Sequence, residues 1–539
     1  MQEQQPQQPQ QRNPINPIKN IKAYLGYQGY SIFKDTLTVE EQHALRKELT
    51  VGAYIPKSPI QPIPFPIYRE SPLKLYVPRY FGLEKWAGIQ VESKITPGHA
   101  ISLKFMGDLR DYQQVIVEKY LKAARNSNSG IGGGGLLDVD PGKGKTVMAL
   151  KIVECLATKT LVVVHKSFLS NQWKERIEQF LPGARVGIIQ GQLIDIDNKD
   201  IVIAMVQSLS MKEYPQSTFE SFGLTIFDEC HHMGAEVFSR CMMKVTTTYT
   251  LGLSGTMQRK DGLSKVFKMF LGDVVHKEKA ESDHCVLVKG INYVVDDDEF
   301  NEVEYDYRGN PKFSTMISKL CNYNRRSEFI VEVVLKELQH KADQQIMILA
   351  HNKSLLQYLF KAIEHRKIAT VGYYLGGMKE ADLKASESKK IIIATYAMAS
   401  EGLDIKTLTT LIMATPKTDV CQSVGRILRV KHTTPVVIDI IDAHDLFKNQ
   451  WQKRKSYYKK QNYRIIVTDS GLYHSNEING CWTTAYNPKK IKGTGAGAVV
   501  VVATGVGSDD DDDEDEDTGA LIKYNSNRKQ PILNGKCFL

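Results

Sequence analysis

No run of 18 apolar residues occurs anywhere in the 539, so no segment reads as a transmembrane helix. The first twenty residues are rich in glutamine and proline and lack the apolar core of a secretion signal. Eight cysteines are scattered without one C-x-x-C pair, which argues against a zinc ribbon or a disulfide framework and for a reducing compartment. The last of them, Cys537, stands one position too late for prenylation. A soluble, intracellular protein is the expectation. Basic residues outnumber acidic ones outside one stretch: the formal net charge is +9 although Asp509–Asp517 holds nine consecutive acids, and without that run it is +18. Such a body suits a polyanionic partner, with the acidic run either an electrostatic competitor or a solvated tail. The length is too great for one core, and two to four domains are expected.

Residues 1–20 are low in complexity and expected to be disordered. Thr38 and Glu41 form a T-x-x-E capping pattern that opens a helix to about Leu49. Pro56, Pro59, Pro62, Pro64 and Pro66 then impose an extended strap, expected to pack on something larger. Residues 21–100 read as a small N-terminal accessory domain, in which Arg69, Lys74, Arg79 and Tyr80 are either a nucleic-acid contact or a solvated surface. Leu161–Val164, Ile201–Met205 and Leu224–Phe227 are short apolar runs suited to buried parallel strands, and Leu169, Trp173, Ile177 and Phe180 mark a helix face between them. The pattern recurs at Ile346–Ala350, Ile391–Ala394, Leu411–Ala414 and Val436–Ile440. The fold class is therefore α/β, with two doubly wound parallel-sheet lobes, a small N-terminal domain and disordered tails. The lobes are assigned to 101–275 and 331–464, with 276–330 as linker and start of the second lobe and 465–539 as a C-terminal extension. Residues 445–464 read as a basic closing helix with Phe447, Trp451 and Tyr458 on its packed face.

The strict phosphate-loop pattern also lacks its first glycine, since Val139 stands there. What remains is Gly142-Lys143-Gly144-Lys145-Thr146 between an apolar run and a helix, a natural anion site in which Lys145 reaches the β/γ-phosphates and Thr146 holds Mg²⁺. Leu224–Phe227 ends in Asp228-Glu229, placing one carboxylate to hold the metal and its neighbour to position water. His231 and His232 are adjacent and cannot both face one ion from a regular element, so zinc is rejected.

With these motifs the chain resembles superfamily 2 helicases of the DExH kind. Leu109-Arg110-Asp111-Tyr112-Gln113 is similar to the adenine-reading Q motif, with Gln113 suited to N6–H and N7 of adenine and hence to ATP. Ser254-Gly255-Thr256 resembles the coupling motif, and Gln422 to Arg429 matches Q-x-x-G-R-x-x-R. The resemblance implies RecA-like lobes and places Arg426 and Arg429 across the cleft from the γ-phosphate, Arg429 as the arginine finger. It also puts Gly402 and Asp404 near the nucleotide, and Lys166 (after His165), Gln207, Ser208, His351, Asn352 and Thr395 along the nucleic-acid track. Thr256 to Gly262 resembles the T-x-x-R-x-D-G element of XPB/UvsW-like motors. The strap and Gln172-Trp173 resemble the poxvirus-type transcript-release helicases of large DNA viruses. The resemblance implies an ATP- and Mg²⁺-dependent motor on nucleic acid, DNA or a transcription-associated hybrid in preference to RNA. Transcription or replication machinery would be its partner and, for a viral source, the host cytoplasm or the virion its place. A duplex translocase, an RNA helicase and an ATP-gated clamp are the alternatives.

Overall fold

A computed structural model describes residues 21–54, 61–125, 131–140, 142–230, 235–255, 261–277, 286–401, 405–425, 427, 434–474 and 481–488. Both expected disordered tails lie outside these residues. The first part carries β1 (Ala23–Gly26), β2 (Gly29–Phe33), β3 (Thr50–Val51), β4 (Phe65–Pro66), β5 (Arg69–Glu70), β6 (Lys74–Val77) and β7 (Glu92–Ser93). Five of these form a sheet in the order β5-β6-β2-β1-β7. Its central turn needs Gly29, whose φ is 96° and whose added Cβ would stand 2.5 Å from the Val77 carbonyl oxygen. Alternation sends Leu25, Tyr30, Ile32, Leu75 and Val77 to one face, where they pack with Leu45 of the Val39–Glu48 helix. That helix opens as expected: Thr38 Oγ1 accepts the Glu41 N–H at 3.2 Å and the Glu41 carboxylate accepts the Thr38 N–H at 2.8 Å.

The proline strap departs from expectation. Pro56 and Pro59 lie outside the described residues; beyond them residues 61–64 are exposed, Ile63 by 90%. Within its described part, pairing is confined to Phe65-Pro66, against β3. Prolines 62, 64 and 66 have no N–H to give, so the segment cannot join a sheet along its length.

The first lobe contains β8 (Gly134–Asp138), β9 (Thr160–Val164), β10 (Val186–Gln190), β11 (Leu193–Asp195), β12 (Ile201–Met205), β13 (Leu224–Phe227), β14 (Tyr249–Ser254) and β15 (Val274–Lys277). Their order is β11-β10-β12-β9-β13-β14-β8-β15, parallel except for β11. Every residue of β9, β12 and β13 is buried, as apolar runs covered on both faces require. The second lobe contains β16 (Leu287–Tyr293), β17 (Gln345–Ala350), β18 (Val371–Tyr374), β19 (Ile391–Thr395), β20 (Leu408–Met413), β21 (Val436–Asp442), β22 (Arg464–Asp469) and β23 (Thr483–Tyr486). Its order is β18-β19-β17-β20-β21-β16-β22-β23, antiparallel at β23 alone.

The stretches on either side of the second lobe's central strands supply sheet as well. β16, inside the stretch expected as linker and start of the second lobe, pairs in parallel with both β21 and β22, while the acids 297–299 that follow it belong to the short Asp298–Asn301 helix and its cap. β22 and β23, inside the expected C-terminal extension, complete the same sheet.

Arg79 fixes the N-terminal sheet to the first lobe. It is 2% exposed, and its two terminal nitrogens donate to the carbonyls of Thr247, Thr248, Ile131 and Gly132 at 2.8–3.0 Å. Tyr80 follows it inward, with its hydroxyl 2.8 Å from Thr250 Oγ1. Both residues were read as nucleic-acid contact or solvated surface. They are instead the joint between two cores, because a guanidinium's planar fork can satisfy four carbonyls at once.

Candidate active site and nucleic-acid track

The phosphate loop leaves β8 through Val139, the residue in the missing glycine's place. Its side chain is fully buried, and its N–H donates to the Ser254 carbonyl at the end of β14, 2.9 Å away. That backbone bond ties the loop to the expected coupling motif, while the valine side chain fills the buried space beneath it. Gly142 and Gly144 have φ of 87° and 82°, and a Cβ on Gly144 would stand 2.4 Å from Gln113 Nε2. The Lys143 carbonyl accepts from Tyr112 Oη at 3.0 Å and from Gln113 Nε2 at 2.9 Å, while Gln113 Oε1 accepts the Arg110 N–H at 3.0 Å. Arg110 also reaches Tyr112 Oη, and the Lys143 ammonium lies 5.4 Å from the Tyr112 ring centre. The Q motif therefore shapes the loop from below. An amide has two N–H groups and two lone pairs, so one of each remains on Gln113 for a base edge. The helix Lys145–Leu156 begins at once, with Thr146 half-buried in its first turn and the turn's N–H groups facing the loop.

Across from the loop, Lys145 Nζ is 3.0 Å from Glu229 Oε1. Asp228 is buried at the end of β13, and its Oδ2 accepts the Trp173 indole N–H at 2.8 Å. Burial, and then the charge of Glu229, push the Asp228 carboxyl up to about 6. Glu229 has φ 46°, a left-handed backbone that costs a non-glycine residue roughly 1–3 kcal/mol and turns the second acid toward Lys145. Thr146 and Asp228 offer oxygen donors of the hard type that Mg²⁺ takes alongside phosphate oxygens and water. Among the described residues no group of three or more His, Cys, Asp or Glu is placed to hold a metal. His231 and His232 lie outside them.

The second lobe approaches this site. The Cys421 thiol, at the start of the Cys421–Val424 helix, is pushed up to about 11 by burial first and then by the charge of Asp140 in the phosphate loop, with Lys145 opposing. Asn171 Nδ2 donates to Glu380 Oε2 at 2.9 Å, and Glu175 pairs with Lys384 at 2.8 Å, so the Ser167–Phe180 helix touches the second lobe. Arg426, Arg429, Gly402, Asp404 and Thr256 lie outside the described residues, as does the side chain of Gln422. Ser254 and Gly255 are buried.

The expected track residues follow strand ends but differ in what they offer. Lys166 caps the Ser167–Phe180 helix after β9, and its ammonium is pushed down by burial. Gln207 is exposed, with its Nε2 donating to the His165 carbonyl at 2.8 Å. Ser208 departs from expectation: it is buried, and its Oγ accepts the Gly191 N–H, because the helix after β12 turns it inward. His351 pairs through Nδ1 with Thr415 Oγ1 at 2.9 Å, and burial aided by Lys417 pushes its imidazole down to about 4, so it is neutral. Asn352 caps the Lys353–His365 helix through Ser354, and Thr395 ends β19, half-buried. Beside them Phe313, Ser314, Ile317 and Lys353 complete a shallow cleft of about 500 Å³.

Two RecA-like sheets, with a glycine-bounded phosphate loop facing a buried Asp228 and a half-buried Glu229, define a two-lobed phosphate-loop ATPase core. Comparison with known proteins gives the family. The model described as "Type III restriction enzyme, res subunit" matches residues 106–259, and "Helicase conserved C-terminal domain" matches 329–431. L396 of Acanthamoeba polyphaga mimivirus, provisionally named an ATP-dependent RNA helicase, is 36% identical over 80% of this chain and 83% of its own length. 161L of Invertebrate iridescent virus 6, provisionally named a helicase, is 29% identical over 68% and 85%, respectively. QP509L of African swine fever virus, with a name like that of L396, is 27% identical over 84% and 95%. The crystal structure of T4 UvsW aligns with 84% of this chain and 99% of its own at 18% identity, with a TM-score of 0.34, too low to bear on fold or activity. The chain belongs to the superfamily 2 helicases, related to those of large DNA viruses, and is a nucleic-acid-dependent ATPase.

Trp173 was visible in sequence as part of a buried helix face, but its bond to Asp228 was not, since nothing in a period of four names the partner of an indole N–H.

Proposed function

We propose that this chain hydrolyses ATP to move along or unwind DNA or a transcription-associated DNA/RNA hybrid. The observation that carries the reading is the Lys145–Glu229 pair beside a buried, tryptophan-held Asp228, all at the strand ends that also carry Lys166 and Gln207. Lys145 leaves Glu229 for the β/γ-phosphates when nucleotide enters, which frees Glu229 to orient water. Gln113 reads adenine with its remaining donor and acceptor. Thr146 and Asp228 would hold Mg²⁺, which when bound supplies neutralising charge between the phosphates. Arg426 and Arg429 supply charge from the second lobe. Lys166, Gln207, Asn352 and Thr395 grip phosphate oxygens without reading bases, so affinity should fall steeply with salt. The names of L396 and QP509L favour a second reading, in which the track is RNA.

An ATPase panel with single-stranded DNA, duplex DNA, RNA and a hybrid separates the readings, with Lys145→Ala as control. Stimulation by DNA or hybrid, abolished by Lys145→Ala, is expected. Stimulation by RNA alone would replace the first reading with the second, and background turnover on all four would end both.

A further inference from the structure

The N-terminal sheet has a second face. Tyr24, Ser31, Tyr76 and Arg69 stand in register across β1, β2, β6 and β5, in a row that ends on Glu92 at the β7 edge. Phe33 and Lys74 form the next pair on the same side. This is the face opposite Leu25, Ile32 and Leu75, and Tyr24, Phe33 and Tyr76 are half-buried there, outside the apolar cluster. The Tyr24 and Phe33 ring centres are 6.2 Å apart. Lys74 Nζ lies 5.0 Å and 4.8 Å from those two centres, and Lys94 Nζ 4.6 Å from that of Tyr24. In the same subdomain Lys34 and Arg46 pair with Glu70, and Lys85 with Glu48. Among the described residues neither Lys74 nor Lys94 has a carboxylate partner; Lys74 Nζ donates to the Tyr24 hydroxyl at 3.2 Å, and both ammonium groups lie near aromatic rings.

We propose that this face binds single-stranded nucleic acid, holding the strand against the first lobe through the Arg79 joint. Unpaired bases stack on Tyr24 and Phe33, and Lys74, Lys94, Lys22 and Arg69 meet the phosphates. Half-buried rings interleaved with cations that no carboxylate neutralises, set around the buried Ser31, are what a single strand needs, whereas a duplex hides its base faces. The lysines now over the rings swing to phosphate as bases take their place. This rests on the nucleic-acid motor reading, and it adds a grip outside the two lobes.

The test is fluorescence anisotropy of labelled 20-nucleotide DNA and RNA single strands and a DNA duplex with the full chain, without nucleotide. Tyr24→Ala/Phe33→Ala and Lys74→Ala/Lys94→Ala should each weaken single-strand binding about tenfold or more, and duplex binding less than about threefold. Tyr24→Leu/Phe33→Leu keeps apolar bulk should the alanine pair fail to fold, and should lose binding equally. Unchanged single-strand affinity, or an equal loss for duplex, overturns the proposal. Lys145→Ala should bind like the unaltered chain while losing turnover. A chain with no stimulated turnover whose ring variants still lose binding would sink the motor reading and keep this surface. Stimulated turnover with normally binding ring variants would do the reverse.

Discussion

Both lobes bury carboxylates on or just after central strands, and they treat them differently. In the second lobe Asp442 meets Arg326 through two bonds, 2.5 Å and 2.8 Å, with both side chains fully buried. Asp439 does the same with Arg454, whose third nitrogen donates to the Lys417 carbonyl. In the first lobe Asp228 is equally deep but has an indole N–H where those acids have a guanidinium, and it stands beside another acid. Glu229 is held on a left-handed backbone with a lysine to one side. A buried charge closed by arginine is part of the frame. A buried charge left short of counter-charge suits a group that arrives, which on the proposed function is the nucleotide with its metal.

Substitutions can break or sharpen that contrast. Glu229→Gln should lower kcat about 10²- to 10⁴-fold while nucleotide binding, followed by a fluorescent ATP analogue, persists. Asp442→Asn should cost roughly 3–5 kcal/mol of stability in denaturant titration, because Arg326 would be left buried without its counter-charge. Asp228→Asn should act with the opposite sign. The folded carboxyl sits near 6 against an ordinary 3.8, so the native chain binds that proton more tightly than the unfolded one. Stability therefore falls as pH rises from about 4 to about 6, by roughly 3 kcal/mol at most, and the asparagine chain should lack that fall. Trp173→Phe removes one hydrogen bond to a charge and should raise KM for Mg·ATP roughly tenfold with a smaller change in kcat. Lys384→Ala, at an exposed pair between the lobes, should change stability by less than about 1 kcal/mol.

Much of this was legible in the chain. Continuous apolar runs named β9, β12 and β13, and the order of motifs named the loop, the Asp-Glu pair and the lobes. β16 was missed as sheet because its apolar residues alternate with Lys289, Gly290 and Asn292, and because the acids after it dominate the local composition. Arg326, Arg454 and Arg79 were invisible as buried groups, since a lone arginine in sequence carries no sign of the carboxylate or carbonyls that close on it from more than a dozen residues away. Val139 looked like a defect until its side chain was found fully buried in the first lobe's apolar cluster, a packing that spacing does not encode.

Thermal melting of the unaltered chain and of Asp228→Asn at pH 7, each with and without Mg·ATP, tests the central claim most directly. The asparagine chain should melt higher than the unaltered one without ligand and gain little from Mg·ATP, while the unaltered chain gains clearly. If Asp228→Asn instead melts lower and still gains as much from Mg·ATP, Asp228 is part of the frame like Asp442, and the contrast between the lobes is wrong.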